Sequence, residues 1–438
     1  MDFRPVFFST VSTSARCLLN DGVSQPIVRI PMRIAYIVPY VPNLIRTRPY
    51  NLIANLSAVG HEVVVFTLGS GEQDLADVEA LKLFGIEVHY WEMPVWRSLL
   101  NSVAAFPGRQ PLQTVYSWHP GMARRLVEML GNEGSKKRFD VVHVEHLRGS
   151  QYGMFLKSKF PVMPMIWDSV DSISHLFRQA SSHSRSMFGR LVTRLELPRT
   201  ERAEGRLTCL FDHVLITSEA DKNALLKLVP NGKKSAPVTV LPNGVDLDYF
   251  QPNPSVQREP ETLVFSGKMS YHANVSMVKY LVMEVMPKIW ERRPTARLLV
   301  VGKDPPADVK ALGGNPLVKV TGTVDDIRPF LWKSTVAVVP LIYGAGIQNK
   351  ILEAMATSTP VVTTSKALAS LGAERDVEVL VGDTADDFAA KVLELIDSPT
   401  LQNSVGGAGL RYVQQEHNWK NSVSKLIEIY QASVPSRV

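Results

Sequence analysis

Short apolar runs rich in branched residues alternate with segments of helical spacing along almost the whole chain, and few folds accept that pattern. Arg33–Val38 reads as a buried strand. Tyr50–Val59 sets Leu52, Ile53, Leu56 and Val59 at helical spacing, with Gly60 in a C-terminal cap position, and Glu62–Thr67 reads as the next strand. The alternation recurs at Val141–Val144, Val162–Trp167, Val214–Thr217 and Val238–Leu241. Strands separated by helices predict a parallel, doubly wound sheet.

The pattern is interrupted once. From Asp246 to Pro260 the chain is Pro-rich, polar and aperiodic, which predicts a linker. A second series follows, with strands expected at Leu263–Ser266, Arg297–Val301, Val318–Thr321, Val336–Pro340 and Val361–Thr364. Helices are expected near Val275–Trp290, Asn349–Thr357 and Ala385–Ile396. At 438 residues the chain is long enough for two such units, each with its own core. A last amphipathic segment, Asn418–Ala432, carries Val423, Leu426, Ile427 and Tyr430 at helical spacing and must pack on one of the halves. The expected division is therefore an N-terminal extension over 1–31, a first domain over 32–243 joined by a terminal helix over 417–438, and a second domain over 244–416.

Composition sets the limits. With 45% hydrophobic and 21% charged residues the chain is an ordinary folded protein. No run nears the ~18 apolar residues that cross a bilayer. Two cysteines leave no disulfide framework, and the extension lacks the apolar block of a signal peptide, so a cytoplasmic setting is expected. The net charge of +6 favours anionic partners. Part of it sits between Arg178 and Arg206, where Arg185, Arg190, Arg194, Arg199 and Arg202 interleave with Phe188, Leu191, Val192, Leu195 and Leu197. That segment reads either as a solvated helix face or as one resting on anionic lipid at the inner face of a membrane.

Several chemistries lack their residues. The chain has no phosphate-binding Gly-x-x-x-x-Gly-Lys-Ser/Thr loop, no His-Glu-x-x-His, no Cys-x-x-Cys and no Gly-x-Ser-x-Gly. The first strand-to-helix turn, Pro39–Asn43, holds no glycine, which argues against a dinucleotide cofactor. What remains is Gly344-Ala345-Gly346-Ile347-Gln348-Asn349-Lys350-Ile351-Leu352-Glu353, entering a helix after a strand. Free amides at such a turn suit phosphate oxygens; Lys350 adds a cation, and Glu353 lies on the same helix face and suits a ribose diol. Phe265-Ser266-Gly267-Lys268 ends another strand, where Lys268 reads either as a solvent lysine after a turn or as a cation that neutralises a diphosphate across a cleft from Lys350. In the first half, strand alternation brings His146 to the end of Asp140–Glu145. Asp168 and Asp171 follow the strand ending at Trp167, where they position a sugar hydroxyl or cap a helix. Asp246-Leu247-Asp248 reads as turn chemistry rather than a metal site.

These segments together resemble the retaining family 4 glycosyltransferases. Val240-Leu241-Pro242-Asn243-Gly244-Val245-Asp246 before the linker and Gly-x-Gly-x-x-x-Lys-x-x-Glu-Ala-Met-Ala before Pro360-Val361-Val362 carry the resemblance, with Arg33–Val38 and Gly60–Val65 matching the first two strands. The variant most alike is the bacterial sugar transferases of exopolysaccharide and cell-surface clusters. The resemblance implies a GT-B fold, two facing Rossmann-like domains with the acceptor on the first and a nucleotide-diphosphate sugar on the second. It implies retention of anomeric configuration with no cofactor and no metal, and a glycan, lipid-linked or small-molecule acceptor, not nucleic acid. By motif position, Lys268 and Lys350 with the amides near Gly344 and Gly346 take the diphosphate, Glu353 the ribose, and Asp325 and Ile327 the base region, with Gly267, Ile347 and Asn349 also in the donor site. Asn43, Arg46, Arg48, Asp168 and Asp171 are the acceptor candidates. The family's catalytic histidine falls on Glu145, one place before His146, so both are candidates at the reaction centre. The glutamate usual eight positions before Glu353 is here Ala345. That departure keeps open an alternative, a nucleotide-sugar epimerase or a non-catalytic GT-B partner protein.

Overall fold

The computed structural model describes residues 31–132, 138–183, 187–343 and 346–434, without the side chains of 179–193. Two parallel sheets form within the compact unit Met32–Val438. The first holds β1 (Arg33–Val38), β2 (Glu62–Gly69), β3 (Glu87–Glu92), β4 (Val141–Glu145), β5 (Met165–Val170), β6 (His213–Ile216) and β7 (Val238–Val240), in the spatial order β3-β2-β1-β4-β5-β6-β7. The second holds β8 (Glu259–Ser266), β9 (Arg297–Val301), β10 (Val318–Gly322), β11 (Ser334–Val339), β12 (Val361–Thr363) and β13 (Leu380–Val381), ordered β10-β9-β8-β11-β12-β13. The second half thus repeats the winding of the first, and the two-domain Rossmann-like GT-B architecture holds.

Alternation along β1 explains why its strand is apolar throughout. Ala35 and Ile37 enter one core with Val142, Leu147 and Trp167, whereas Ile34, Tyr36 and Val38 enter another on the opposite face with Leu52, Ile53 and Leu56. The terminal helix Trp419–Ser433 completes that second core with Trp419, Val423, Leu426, Ile427 and Tyr430. The second sheet has its own core around Leu263, Phe265, Leu298, Val338 and Leu352.

The crossing between the halves is a tight junction. The Val245 amide donates to the His417 carbonyl (2.8 Å), and His417 Nδ1 bonds the Asn243 carbonyl oxygen (2.7 Å). A Cβ on Gly244 would lie 2.8 Å from the Trp419 ring, so only glycine fits between the outgoing and returning segments. Asp246 Oδ1 accepts from the Asp248 and Tyr249 amides, which is the turn chemistry expected of that pair.

Two differences from the sequence reading have local causes. The fifth strand begins at Met165, not Val162, because Val162 is exposed and Pro164 cannot donate to a ladder. The edge strand β3 has no apolar run, since its residues are only partly covered.

Candidate functional site

In each sheet the winding reverses between its two central strands, β1/β4 in the first and β8/β11 in the second. Side chains beyond the carboxyl ends at such switch points line the crevice where open α/β sheets bind ligands. Most candidate residues follow β1, β4 and β5 in the first sheet and β8 and β11 in the second, whereas Asp325 and Ile327 follow the edge strand β10.

On the second sheet, β8 runs into Gly267 at φ 150° and β9 into Gly302 at φ 147°. A Cβ on Gly302 would lie 1.9 Å from the Gly267 carbonyl oxygen, so the two backbones approach as only glycines permit. Lys350, in the first turn of the helix Asn349–Ala356, donates from Nζ to Asn274 Oδ1 (2.6 Å) and lies 4.9 Å from the Phe265 ring centroid. Asn274 Nδ2 in turn donates to the Lys268 carbonyl (2.8 Å). The two lysines therefore sit on the same side of the cleft, bridged by Asn274, and do not oppose each other across it as the spacing had suggested. Lys268 Nζ is exposed, 4.0 Å from Asp304.

Burial lowers Lys350 to about 8 and raises Glu353 to about 6, each offset in part by the other's charge. Gly346 has φ 77° and its Cα packs so closely on Asp171 that a Cβ would lie 2.8 Å from Oδ1. Asn349 Nδ2 donates to Thr47 Oγ1 (3.1 Å), while its Oδ1 is buried without a protein partner. These two contacts span the cleft. Gly344 and Ala345 lie outside the described residues. Ile347 packs on the second core. Ile327 is partly buried there too, but Asp325 is exposed. Its neighbour Asp326 holds Arg328, whose guanidinium lies 3.9 Å over the Tyr249 ring.

On the first sheet the buried polar residues form one network. Arg48 Nε donates to Asp168 Oδ2 (2.8 Å), and its Nη1 donates to the Leu241 carbonyl and Asn243 Oδ1. Both charges are shielded from water, so this ion pair is occupied with itself and with the junction between the halves. Glu145 is fully buried, and its two oxygens accept from the Tyr36 and Tyr40 hydroxyls at 2.8 Å each. Burial, then the Asp168 charge, lifts it to about 7. His143 stacks on Tyr36 and bonds the Tyr430 hydroxyl of the terminal helix (2.8 Å).

His146 adjoins that network through its ring, which lies edge-on to Tyr40 with centroids 6.4 Å apart. It is partly exposed, at φ 62°, beside Val170 at φ 65° on the next strand end. Left-handed conformations cost β-carbon residues energy, and two on adjacent strand ends mark backbone held for a purpose. Burial, then the Arg148 charge, lowers His146 to about 4, so the ring is neutral near pH 7. Nδ1 accepts from the Arg148 amide (3.3 Å), which leaves the proton on Nε2.

Asp171 is raised to about 6, by burial first and by the Asp221 charge next, and accepts from Thr217 Oγ1. Asn43 is held by Asp77 (2.7 Å) and caps the turn at Ile45 and Arg46; Arg46 reaches the Val41 carbonyl and Asp74. Tyr36, Tyr40, Thr47, His143 and Tyr430 escaped sequence reasoning because apolar period alone places tyrosine and histidine in a core. In the basic stretch, Arg178 pairs with Glu201, and Arg199 with Glu196 and the Phe106 carbonyl. Arg185 and the side chains of Phe188, Arg190, Leu191 and Val192 lie outside the described residues.

This arrangement defines a class, a two-domain Rossmann-like scaffold with buried polar side chains gathered at the carboxyl ends of both sheets. The sequence matches two family models, Glycosyltransferase Family 4 over residues 45–249 and Glycosyl transferases group 1 over 260–398, which between them take in most of the chain. The chain belongs to the family 4 glycosyltransferases and is a glycosyltransferase with the GT-B fold. It is 23% identical over 336 residues to the D-inositol 3-phosphate glycosyltransferase of Kineococcus radiotolerans, covering 69% of this chain and 74% of that protein. Among solved structures it resembles sucrose-phosphate synthase from Thermosynechococcus elongatus (TM-score 0.65, 16% identity, 92% of this chain and 98% of that one). It also resembles Anabaena HepE in complex with UDP (TM-score 0.62, 14% identity, 92% and 100%).

Proposed function

We propose that the enzyme transfers a sugar from a nucleotide-diphosphate donor held on the second domain to a hydroxyl of an acceptor held on the first, with retention of anomeric configuration. The observation that carries the reading is the glycine-lined turn at Gly267 and Gly302 facing Lys350 and Glu353 at the start of a helix. Such a site presents cations and a helix N-terminus to a diphosphate and a carboxylate to a ribose diol. The resemblance to a UDP-bound neighbour supports the donor class.

In this reading the departing diphosphate is stabilised by Lys350, by Lys268 swinging in from solvent, and by the amides leading into Asn349. That charge stabilisation takes the place of a metal ion, so turnover is expected to survive chelation. In this reading His146, rather than Glu145, meets the substrates: both Glu145 oxygens accept from tyrosines, whereas the Arg148 amide on Nδ1 leaves His146 with an Nε2–H to donate. Asp171, a first-domain carboxylate packed against Gly346 of the second, is placed in this reading on the acceptor side of the reaction centre.

The test is nucleotide release from a panel of UDP-, GDP- and ADP-sugars with a hydroxyl acceptor, and proton NMR of the product's anomeric coupling. The wild type is expected to consume one donor class and retain configuration. Lys350→Ala and Glu353→Ala are each expected to lower kcat/KM by ~10²-fold or more. No donor consumed, or turnover unaffected by both substitutions, overturns the reading.

A further inference from the structure

The helix Val95–Ala105 is built inside out. Val95, Trp96, Leu99, Leu100 and Val103, with Phe106 just beyond, are 56–69% exposed. At ~100° per residue the five helical positions span roughly 140° of arc. The opposite arc is the one turned to the protein, and it is polar: Ser98 is 1% exposed, Ser102 donates to the Ser98 carbonyl, and Asn101 Nδ2 donates to the Trp118 carbonyl (2.9 Å). A helix seated on a water-soluble surface has the reverse polarity, so this face is made for an apolar neighbour.

We propose that this face rests in the interface of a membrane containing anionic lipid. Charge argues for that occupant. Between Glu92 and Glu128 the chain has no carboxylate, but it has Arg97, Arg109 and Arg124 besides Arg125, which pairs with Glu128 (3.6 Å). Arg97 borders the apolar arc, its guanidinium 5.1 Å from the Trp96 ring. Apolar residues flanked by arginine and an exposed tryptophan suit the headgroup boundary. The same excess of arginine disfavours a second copy, because a two-fold contact would set like charges together.

Position gives the surface a use. The helix leaves the carboxyl end of β3, where the Met93 amide donates to the Gly69 carbonyl (2.8 Å). The exposed Leu44 and Ile45 follow β1 on that same edge. The membrane face therefore lies on the carboxyl-end side of the first sheet, the side that carries the crevice assigned above to the acceptor, and the acceptor class that fits is a lipid-linked hydroxyl compound presented from the bilayer. This last step rests on the proposed function; the membrane contact does not.

The experiment is sedimentation of the full chain with vesicles of phosphatidylcholine, alone and mixed with phosphatidylglycerol. Binding is expected to the mixed vesicles. Leu99→Glu with Leu100→Glu is expected to lower the partition coefficient at least about tenfold, and Arg97→Glu with Arg109→Glu by about as much. All four positions lie on the surface, so circular dichroism and nucleotide binding should match the wild type. Absence of vesicle binding, or equal binding by the Leu99/Leu100 variant, overturns the proposal. So does a dimer in solution that this variant splits, which would give the face to a second copy. Because nucleotide binding is measured separately, failure of the membrane contact is distinguishable from failure of the donor site.

Discussion

Lys350 and Glu353 carry opposite burdens. Each is held by burial closer to neutrality than it would be in water, Lys350 at about 8 and Glu353 at about 6. Donor binding in the proposed mode uses the charged form of both. Affinity is therefore expected to be highest between about pH 6 and 8, to fall below that window as Glu353 gains a proton, and to fall above it as Lys350 loses one. Calorimetric titration across pH checks this; a flat profile counts against it. Arg48 is a residue of another kind. It was an acceptor candidate on sequence grounds, yet it is paired with Asp168 and reaches the Leu241 carbonyl. Arg48→Met would strand the Asp168 charge in a dry site and is expected to cost ~3–5 kcal/mol, read as a fall in the urea midpoint. Sequence shows that an arginine and an aspartate lie near strand ends; it cannot show that they satisfy each other, because that depends on a contact spanning 120 positions.

At the scale of elements, most of the architecture was legible. Buried parallel strands announce themselves as continuous apolar runs, and β1 and β9 were read to the residue. The edge strand β3 and the helix Val95–Ala105 were not read. One lacks an apolar run, and the other has a period whose apolar side faces out. The terminal helix was visible from its spacing, but its role depends on the junction. Trp419, Val423, Leu426, Ile427 and Tyr430 fill a core of the first sheet, and the Tyr430 hydroxyl reaches His143. At ~1.5–3 kcal/mol for each large apolar side chain, removing the chain from Trp419 onward takes about as much as a domain's whole usual margin. The truncated protein is expected to lose cooperative unfolding, measured by circular dichroism on heating. Tyr430→Phe keeps the packing and removes only the bond to His143, so its loss should be ~1 kcal/mol.

At the scale of the whole molecule, the Asn243-Gly244-Val245 segment has a mechanical reason. It is where the chain leaves the first half and where the returning segment His417–Trp419 crosses it. Gly244→Ala presses a methyl group against Trp419 and is expected to cost ~1–3 kcal/mol, with a lowered Tm. The segment that resembled a family signature is thus the place where the halves are joined, and Gly346 on Asp171 and Asn349 on Thr47 are contacts they make across the cleft. The central claim is that the diphosphate nucleotide binds between the Gly267 and Gly302 backbone and the helix start that carries Lys350 and Glu353. Calorimetric titration of UDP, GDP and ADP into the wild type and Glu353→Ala at pH 7 addresses it most directly. The wild type is expected to bind one of the three, with affinity at least about tenfold weaker in the variant. No binding by the wild type, or equal binding by both proteins, would contradict it.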